Sequence, residues 1–323
     1  MRDDHARWLF LGGLVLLAAA ALPACSEDDT GGSCTPESCA ARCLALGSPG
    51  GNCSGGNCVC DGGGDGDADG DGGADADGGA DADADAEATS PCDIDIVFVL
   101  DVSTSMTPVL QALHDGIGEV WTYARGMDPE AQFGLVVFVD DVMVTNGGGW
   151  YGTVDEIQAE FDRWREFCSS NDEPGGSGGF NDDCPENSLD AIWAAATSFP
   201  WRDSATTLHV IFHATDDTFV EAPNTLGSTW IEVQHTYPEV LGELRLREIR
   251  LAAFAAHDSS DCAIPPVHDT EPGFYTDWRS DPPLPSGTGA QVFDIQEVMG
   301  GTLSMTEAIN GVILDEYCTP FIY

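Results

Sequence analysis

The chain has 323 residues and carries 56 Asp and Glu against 11 Lys and Arg, a formal charge of −45, and every cation is Arg. An acidic chain with no Lys argues against nucleic-acid binding, against a polybasic membrane patch and against lysine Schiff-base chemistry. Twelve Cys in a chain that is 42% hydrophobic point to a packed core in an oxidising compartment.

Residues 1–24 have the layout of a targeting segment. Arg2 and Arg7 precede an uncharged run from Trp8 to Ala24, which ends in Leu22-Pro23-Ala24-Cys25. The alternative is an N-terminal membrane anchor, which the short run and Pro23 disfavour. Small residues before a Cys at the end of an apolar run resemble a bacterial lipoprotein signal. That resemblance implies that Cys25 is lipidated as the first mature residue and that the protein is anchored in the cell envelope. Ser26, where some lipoproteins carry Asp, implies by the same likeness the outer membrane of a Gram-negative bacterium.

Residues 33–60 hold Cys34, Cys39, Cys43, Cys53, Cys58 and Cys60 in the spacing C-x4-C-x3-C-x9-C-x4-C-x-C. C-x3-C places two thiols on one helical face, and C-x-C two on one face of a strand. Spacing alone leaves the disulfide pairing open. A metal cluster is the competing reading, disfavoured by the lack of His and by the oxidising compartment. The stretch SCAARCLALGSPGGNCSGGNCVC resembles an insect-type defensin, the cysteine-stabilised αβ fold. The family implies bridges Cys34–Cys53, Cys39–Cys58 and Cys43–Cys60. Arg42 is the one cation here and Glu37 offsets it, which departs from a membrane-active family and suits a neutral spacer or binding knob.

Residues 61–89 are almost wholly Asp, Gly and Ala. Such a stretch buries no apolar area to offset ordering entropy, and like charges extend it. Asp65 to Gly70 matches the first half of an EF-hand loop, but Ala76 stands where the closing Glu belongs. The expectation is an extended acidic linker.

Residues 90–323 form the main domain. Ile94–Leu100 (IDIVFVL) and Phe133–Val139 (FGLVVFV) are continuous apolar runs that predict buried strands, with a short third strand over Val142–Thr145. Further strands are expected at Leu208–Ala214, Ile249–Ala255 and Gln291–Phe293. Helical spacing predicts helices over Val109–Ala124, Val154–Phe167, Ser188–Ser198, Thr229–Arg245 (around a break at Pro238) and Thr302–Glu316. Alternating strands and helices of this kind predict an α/β, doubly wound, mostly parallel sheet covered on both faces. Ligand sites in such sheets lie beyond the carboxyl ends of the strands.

What stands at those ends is chemically specific. The first strand runs into Asp101-Val-Ser103-Thr-Ser105-Met, and the fourth into Thr215-Asp216-Asp217. A carboxylate and two hydroxyls at i, i+2 and i+4 can converge on one hard cation, and oxygen donors favour Mg²⁺, Ca²⁺ or Mn²⁺ over zinc. The alternative is an ordinary set of turn and cap residues. D-x-S-x-S after an apolar strand resembles the metal-ion-dependent adhesion site of von Willebrand factor type A domains, whose fold is Rossmann-like.

Asn181-Asp-Asp183-Cys-Pro185-Glu186 followed by Ser188 resembles the integrin beta-subunit version of that domain. Carried over by position, the likeness implies a main Mg²⁺ (or Mn²⁺) site of Asp101, Ser103, Ser105, Glu186 and Asp216. It also implies a Ca²⁺ site of Asp140, Asn181, Asp183, the Pro185 carbonyl and Glu186. A third family site lacks its acids, because Thr107-Pro108-Val109-Leu110 stands there. The integrin specificity loop is missing too.

His209 and His213 are four apart on a predicted strand, where packing is favoured over zinc binding. Cys92 and Cys318 flank the domain, and the type A likeness implies a bridge between them. Cys168 and Cys184 bracket a Gly-rich loop and are expected to pair, leaving Cys262 over. Residues 257–290 carry Phe274, Tyr275 and Trp278 among prolines, either as a partner-reading insertion or as a flap on the sheet.

The resemblance implies a surface-anchored lipoprotein, not an enzyme, that binds the carboxylate of a protein ligand through its cation, with the linker as a stalk. The alternatives are a display protein whose defensin-like module is the active part, and a metal-dependent hydrolase. The latter lacks G-x-S-x-G and H-E-x-x-H motifs.

Overall fold

The computed structural model describes the backbone of residues 51–54 and 57–60, and residues 92–170, 172–178, 185–226, 230–257 and 271–322. Two compact units divide the chain, Met1–Asp83 and Ala84–Tyr323. In the first, β1 (Gly51–Ser54) pairs antiparallel with β2 (Asn57–Cys60), and Cys53 stands opposite Cys58. The targeting segment with Cys25, the acidic linker, Cys262 and the side chains of the three expected defensin-type bridges lie outside the described residues.

The second unit is built on a six-stranded, mostly parallel sheet. Its strands are β3 (Asp93–Asp101), β4 (Gln132–Phe138), β5 (Val142–Val144), β6 (Thr207–Thr215), β9 (Ile249–Ala255) and β10 (Val292–Asp294), in the order β10-β9-β6-β3-β4-β5. All neighbours are parallel except β5, which returns antiparallel along β4. A separate hairpin, β7 (Asn224–Leu226) with β8 (Ile231–Val233), follows β6.

The apolar runs become strands because both sheet faces are covered. Ile94, Ile96, Phe98 and Leu100 enter one core, beneath α1 (Thr107–Met127), α2 (Val154–Phe167) and the last helix. Val97 and Val99 enter the other, beneath α3 (Ser188–Ser198) and α4 (Tyr237–Leu246). Asp95 shares that second face with no exposure. Arg202 compensates it, donating from Nε to Asp95 Oδ1 at 2.8 Å and from its amide to Oδ2 at 2.9 Å.

The structure corrects two expectations. The helix expected over Thr229–Arg245 is instead the second half of the β7–β8 hairpin followed by α4. A capping box of Thr236 and Glu239 starts that helix, and Pro238 sits in its first turn, where proline lacks no needed bond. The helix expected over Thr302–Glu316 is present as α6 (Met305–Glu316), where Ser304 caps the start by accepting from the Glu307 amide at 3.3 Å, and a short α5 (Ile295–Met299) precedes it.

The expected Cys168–Cys184 bridge is the second correction. Cys168 is a free thiol that belongs to the apolar core at the end of α2, and burial pushes it up to about 12. Cys184 itself lies outside the described residues.

Cys92 and Cys318 do form a disulfide, with Cα atoms 5.5 Å apart. Beside it, Arg250 is buried against Glu316 at 2.7 Å and donates to the carbonyls of Thr319 and Pro320 at 2.8 and 3.0 Å. The described part of the aromatic insertion, residues 271–290, packs against the sheet. Phe274 is buried against His213, and Trp278 packs on Phe219 at 4.8 Å.

Candidate metal centre

The strand order reverses between β3 and β6, and the crevice at their carboxyl ends holds the motif residues. In the parallel register Leu100 pairs with Ala214, so Asp101 and Thr215 end the two strands level with each other. Asp101 is fully buried. Its Oδ1 accepts the Ser103 amide at 2.7 Å, closing the turn after β3, and its Oδ2 accepts the Thr215 hydroxyl at 2.8 Å. Ser103 Oγ lies 3.2 Å from Ser105 Oγ, and Ser105 Oγ donates to Asp216 Oδ1 at 2.9 Å.

Four of the five residues expected at the main site are therefore linked in one hydrogen-bonded chain: Asp101, Ser103, Ser105 and Asp216. The structure adds Asp217, which the motif did not assign. Asp101, Asp216 and Asp217 each place a carboxylate oxygen within 4.8 Å of the others. The doublet Asp216-Asp217 was visible in the sequence, but nothing in its spacing says that both side chains turn to the crevice.

Burial, with Asp216 and Asp217 close by, holds the Asp101 carboxyl well above the usual carboxylate range. Three carboxylates this close repel one another, and a cation removes the repulsion. The donors are all oxygens, which fits Mg²⁺, Mn²⁺ or Ca²⁺ and not zinc.

Glu186 lies outside that trio. It is buried, its amide donates to the Thr218 carbonyl at 2.9 Å, and it bridges in parallel to Phe219. The next amide, of Asn187, donates to the Val139 carbonyl at 2.9 Å. Glu186 thus sits between the loop after β4 and the loop after β6, along the same rim.

The residues expected at the second site fall partly in view. Asp140 is fully buried just after β4, and Pro185 lies beside Glu186. Asn181 and Asp183 lie outside the described residues. Glu173, which no sequence motif singled out, joins this place. Its Oε2 accepts the amides of Asp140 and Asp141 at 3.0 and 2.9 Å. Burial first, then the charges of Asp140 and Asp141, pushes its carboxyl up to about 7 against those two amide bonds. Asp141 in turn accepts the amides of Gly175 and Ser177 at 2.6 and 3.0 Å, fixing the Gly-rich loop.

His209 and His213 are both buried along β6. His213 lies between the rings of Phe138 and Phe274, at 5.5 and 5.3 Å, and burial lowers it to about 3. They are packing residues. The carboxylate trio is the one cluster of three or more acid, His or Cys ligand atoms among the described residues.

No family model matches the chain, and no curated protein matches it. Two solved structures of proximal thread matrix protein 1 from the mussel byssus are similar to it at 13% identity. One alignment covers 68% of this chain and 46% of that protein with a TM-score of 0.40, the other 68% and 45% with a TM-score of 0.38. This chain therefore spans less than half the length of the protein in those structures. The chemistry of the crevice rests on this chain's own residues.

Proposed function

We propose that residues 90–323 are a von Willebrand factor type A-like domain that holds a divalent cation and uses it to bind a carboxylate on a protein ligand outside the cell. The observation that carries this reading is the chain from Asp101 through Ser103 and Ser105 to Asp216, at the point where the strand order reverses. Two hydroxyls among the donors leave part of the ion's charge unneutralised for an incoming ligand. Mg²⁺ or Mn²⁺ suits this position, and Ca²⁺ a second one around Asp140 and Glu186.

Electrostatics supports a metal-mediated contact over a direct one. The chain is strongly acidic, so a carboxylate ligand is repelled by the net charge and a bound cation supplies a local attraction. In this reading the lipidated Cys25 anchors the protein in the envelope, and residues 61–89 hold the binding domain away from the membrane.

The test is a crystal soaked with Mn²⁺. An anomalous peak touching Asp101, Ser103, Ser105 and Asp216 is expected, and its absence would overturn the reading. Chelation of the cation is expected to abolish ligand binding, as is Asp101→Ala.

A further inference from the structure

Glu173 belongs to neither the D-x-S-x-S motif nor the carboxylate trio, yet it is built in with unusual care. It lies in the loop after α2 and is 4% exposed. Two backbone amides, from consecutive residues, hold Oε2 in place. Oε1 is buried with no hydrogen-bond partner, and no ion pair among the described residues includes Glu173.

A carboxylate oxygen removed from water with nothing donating to it is strongly unfavourable. The two amides keep the side chain from turning that oxygen to solvent. Its surroundings are rich in oxygen. Asp140 and Glu186 are buried nearby on the same rim. Asn187, whose Nδ2 donates to the Asp140 carbonyl at 2.9 Å, buries its Oδ1 without a partner, as Ser188 buries its hydroxyl. Several buried oxygens without a partner, from Glu173, Asn187 and Ser188, suit a hard cation.

We infer that Glu173 Oε1 is a direct ligand of the second, calcium-type cation, together with Asp140 and Glu186. The inference rests on the reading that a second cation binds beside Asp140, and it adds a carboxylate from a different loop. Asp140, Glu173 and Glu186 do not approach one another as closely as the main-site trio. Ca²⁺ takes six to eight oxygens at about 2.3–2.6 Å in loose geometry, so Asp140 and Glu186 meet the ion by a small side-chain movement or through water in the remaining positions. Glu173 also ties the ion to the Gly-rich loop, because the same side chain grips the amide of Asp141, whose carboxylate holds Gly175 and Ser177.

The test is Ca²⁺ binding by calorimetry to the full chain, stripped with chelator, for the wild type and for Glu173→Gln, Asp140→Asn and Asp101→Asn. Gln matches Glu in size and still accepts from the two amides, and retained binding at the Asp101-dependent site reports that the fold is intact. Glu173→Gln is expected to weaken the Asp140-dependent site by roughly tenfold or more while sparing the other. Asp140-dependent binding unchanged in Glu173→Gln would overturn the role of Glu173 and leave the second cation standing. Loss of both sites in Glu173→Gln would assign the residue a structural role instead. Ca²⁺ binding unaffected by Asp140→Asn would remove the second cation and this inference with it.

Discussion

Thr215 Oγ1 donates to Asp101 Oδ2 at 2.8 Å, joining the ends of two parallel strands across 114 residues of sequence. This bond orients the one carboxylate of the crevice that is fully buried, and so fixes the direction from which a cation is met. Thr215→Val keeps the shape and removes the donor. Loss of a buried hydrogen bond to a carboxylate costs about 1.5–3 kcal/mol. The variant is expected to bind Mn²⁺ more weakly, as read by calorimetry. Unchanged Mn²⁺ affinity would show that Asp101 needs no such orientation.

Asp217 is the third carboxylate of the trio. Asp217→Asn lowers the negative charge facing the ion, so cation affinity is expected to fall on the order of tenfold, or about 1.4 kcal/mol. Its ion keeps more positive charge for an incoming carboxylate. With the site saturated in Mn²⁺, the variant is expected to bind acetate more tightly than the wild type. Cation affinity equal to that of the wild type would place Asp217 outside the coordination shell.

His213 supplies a pH prediction. Its folded-state value, about 3, lies below the ordinary 6.5 because the ring is buried between two phenyl groups. Above pH 6.5 the neutral ring fits the core and its contribution is complete. As pH falls from 6.5 towards 3, the unfolded chain takes up a proton that the fold refuses, so stability drops by roughly 1.4 kcal/mol per pH unit at most. His213→Phe removes that term. The stability gap between variant and wild type, measured by urea unfolding, is expected to widen through this window. A constant gap would rule out the titration of His213.

The Cys92–Cys318 bridge lies at the far end of the sheet from the crevice. Cys92 immediately precedes β3, whose nine residues, about 30 Å long, end at Asp101. Cys318→Ser is expected to cost about 2–5 kcal/mol of stability. Its melting temperature should fall clearly, while Mn²⁺ affinity at the crevice stays within error. A matching loss of Mn²⁺ affinity would show that the bridge supports the site and not the fold alone.

The central strands were legible because they are buried on both faces and so appear as unbroken apolar runs. Ile94–Leu100 and Phe133–Val139 match β3 and β4 to within a residue or two. The β7–β8 hairpin was not legible, since its three-residue strands are too short to show an alternating pattern, and the real start of α4 is signalled by Thr236, Pro238 and Glu239. The Cys168–Cys184 expectation failed because proximity in sequence says nothing about which way a thiol points. The core claimed Cys168.

By itself the sequence determined that apolar strands would be capped by oxygen-bearing side chains, and it named Asp101, Ser103, Ser105 and Asp216. Tertiary structure alone decided which acids meet. The parallel register that levels Leu100 with Ala214 brings Asp217 into the crevice, and the return of the loop after α2 seats Glu173 on the amides of Asp140 and Asp141. Local residue patterns encode the period of a strand and the chemistry of its end. Meetings between residues far apart along the chain depend on how those strands are aligned and covered.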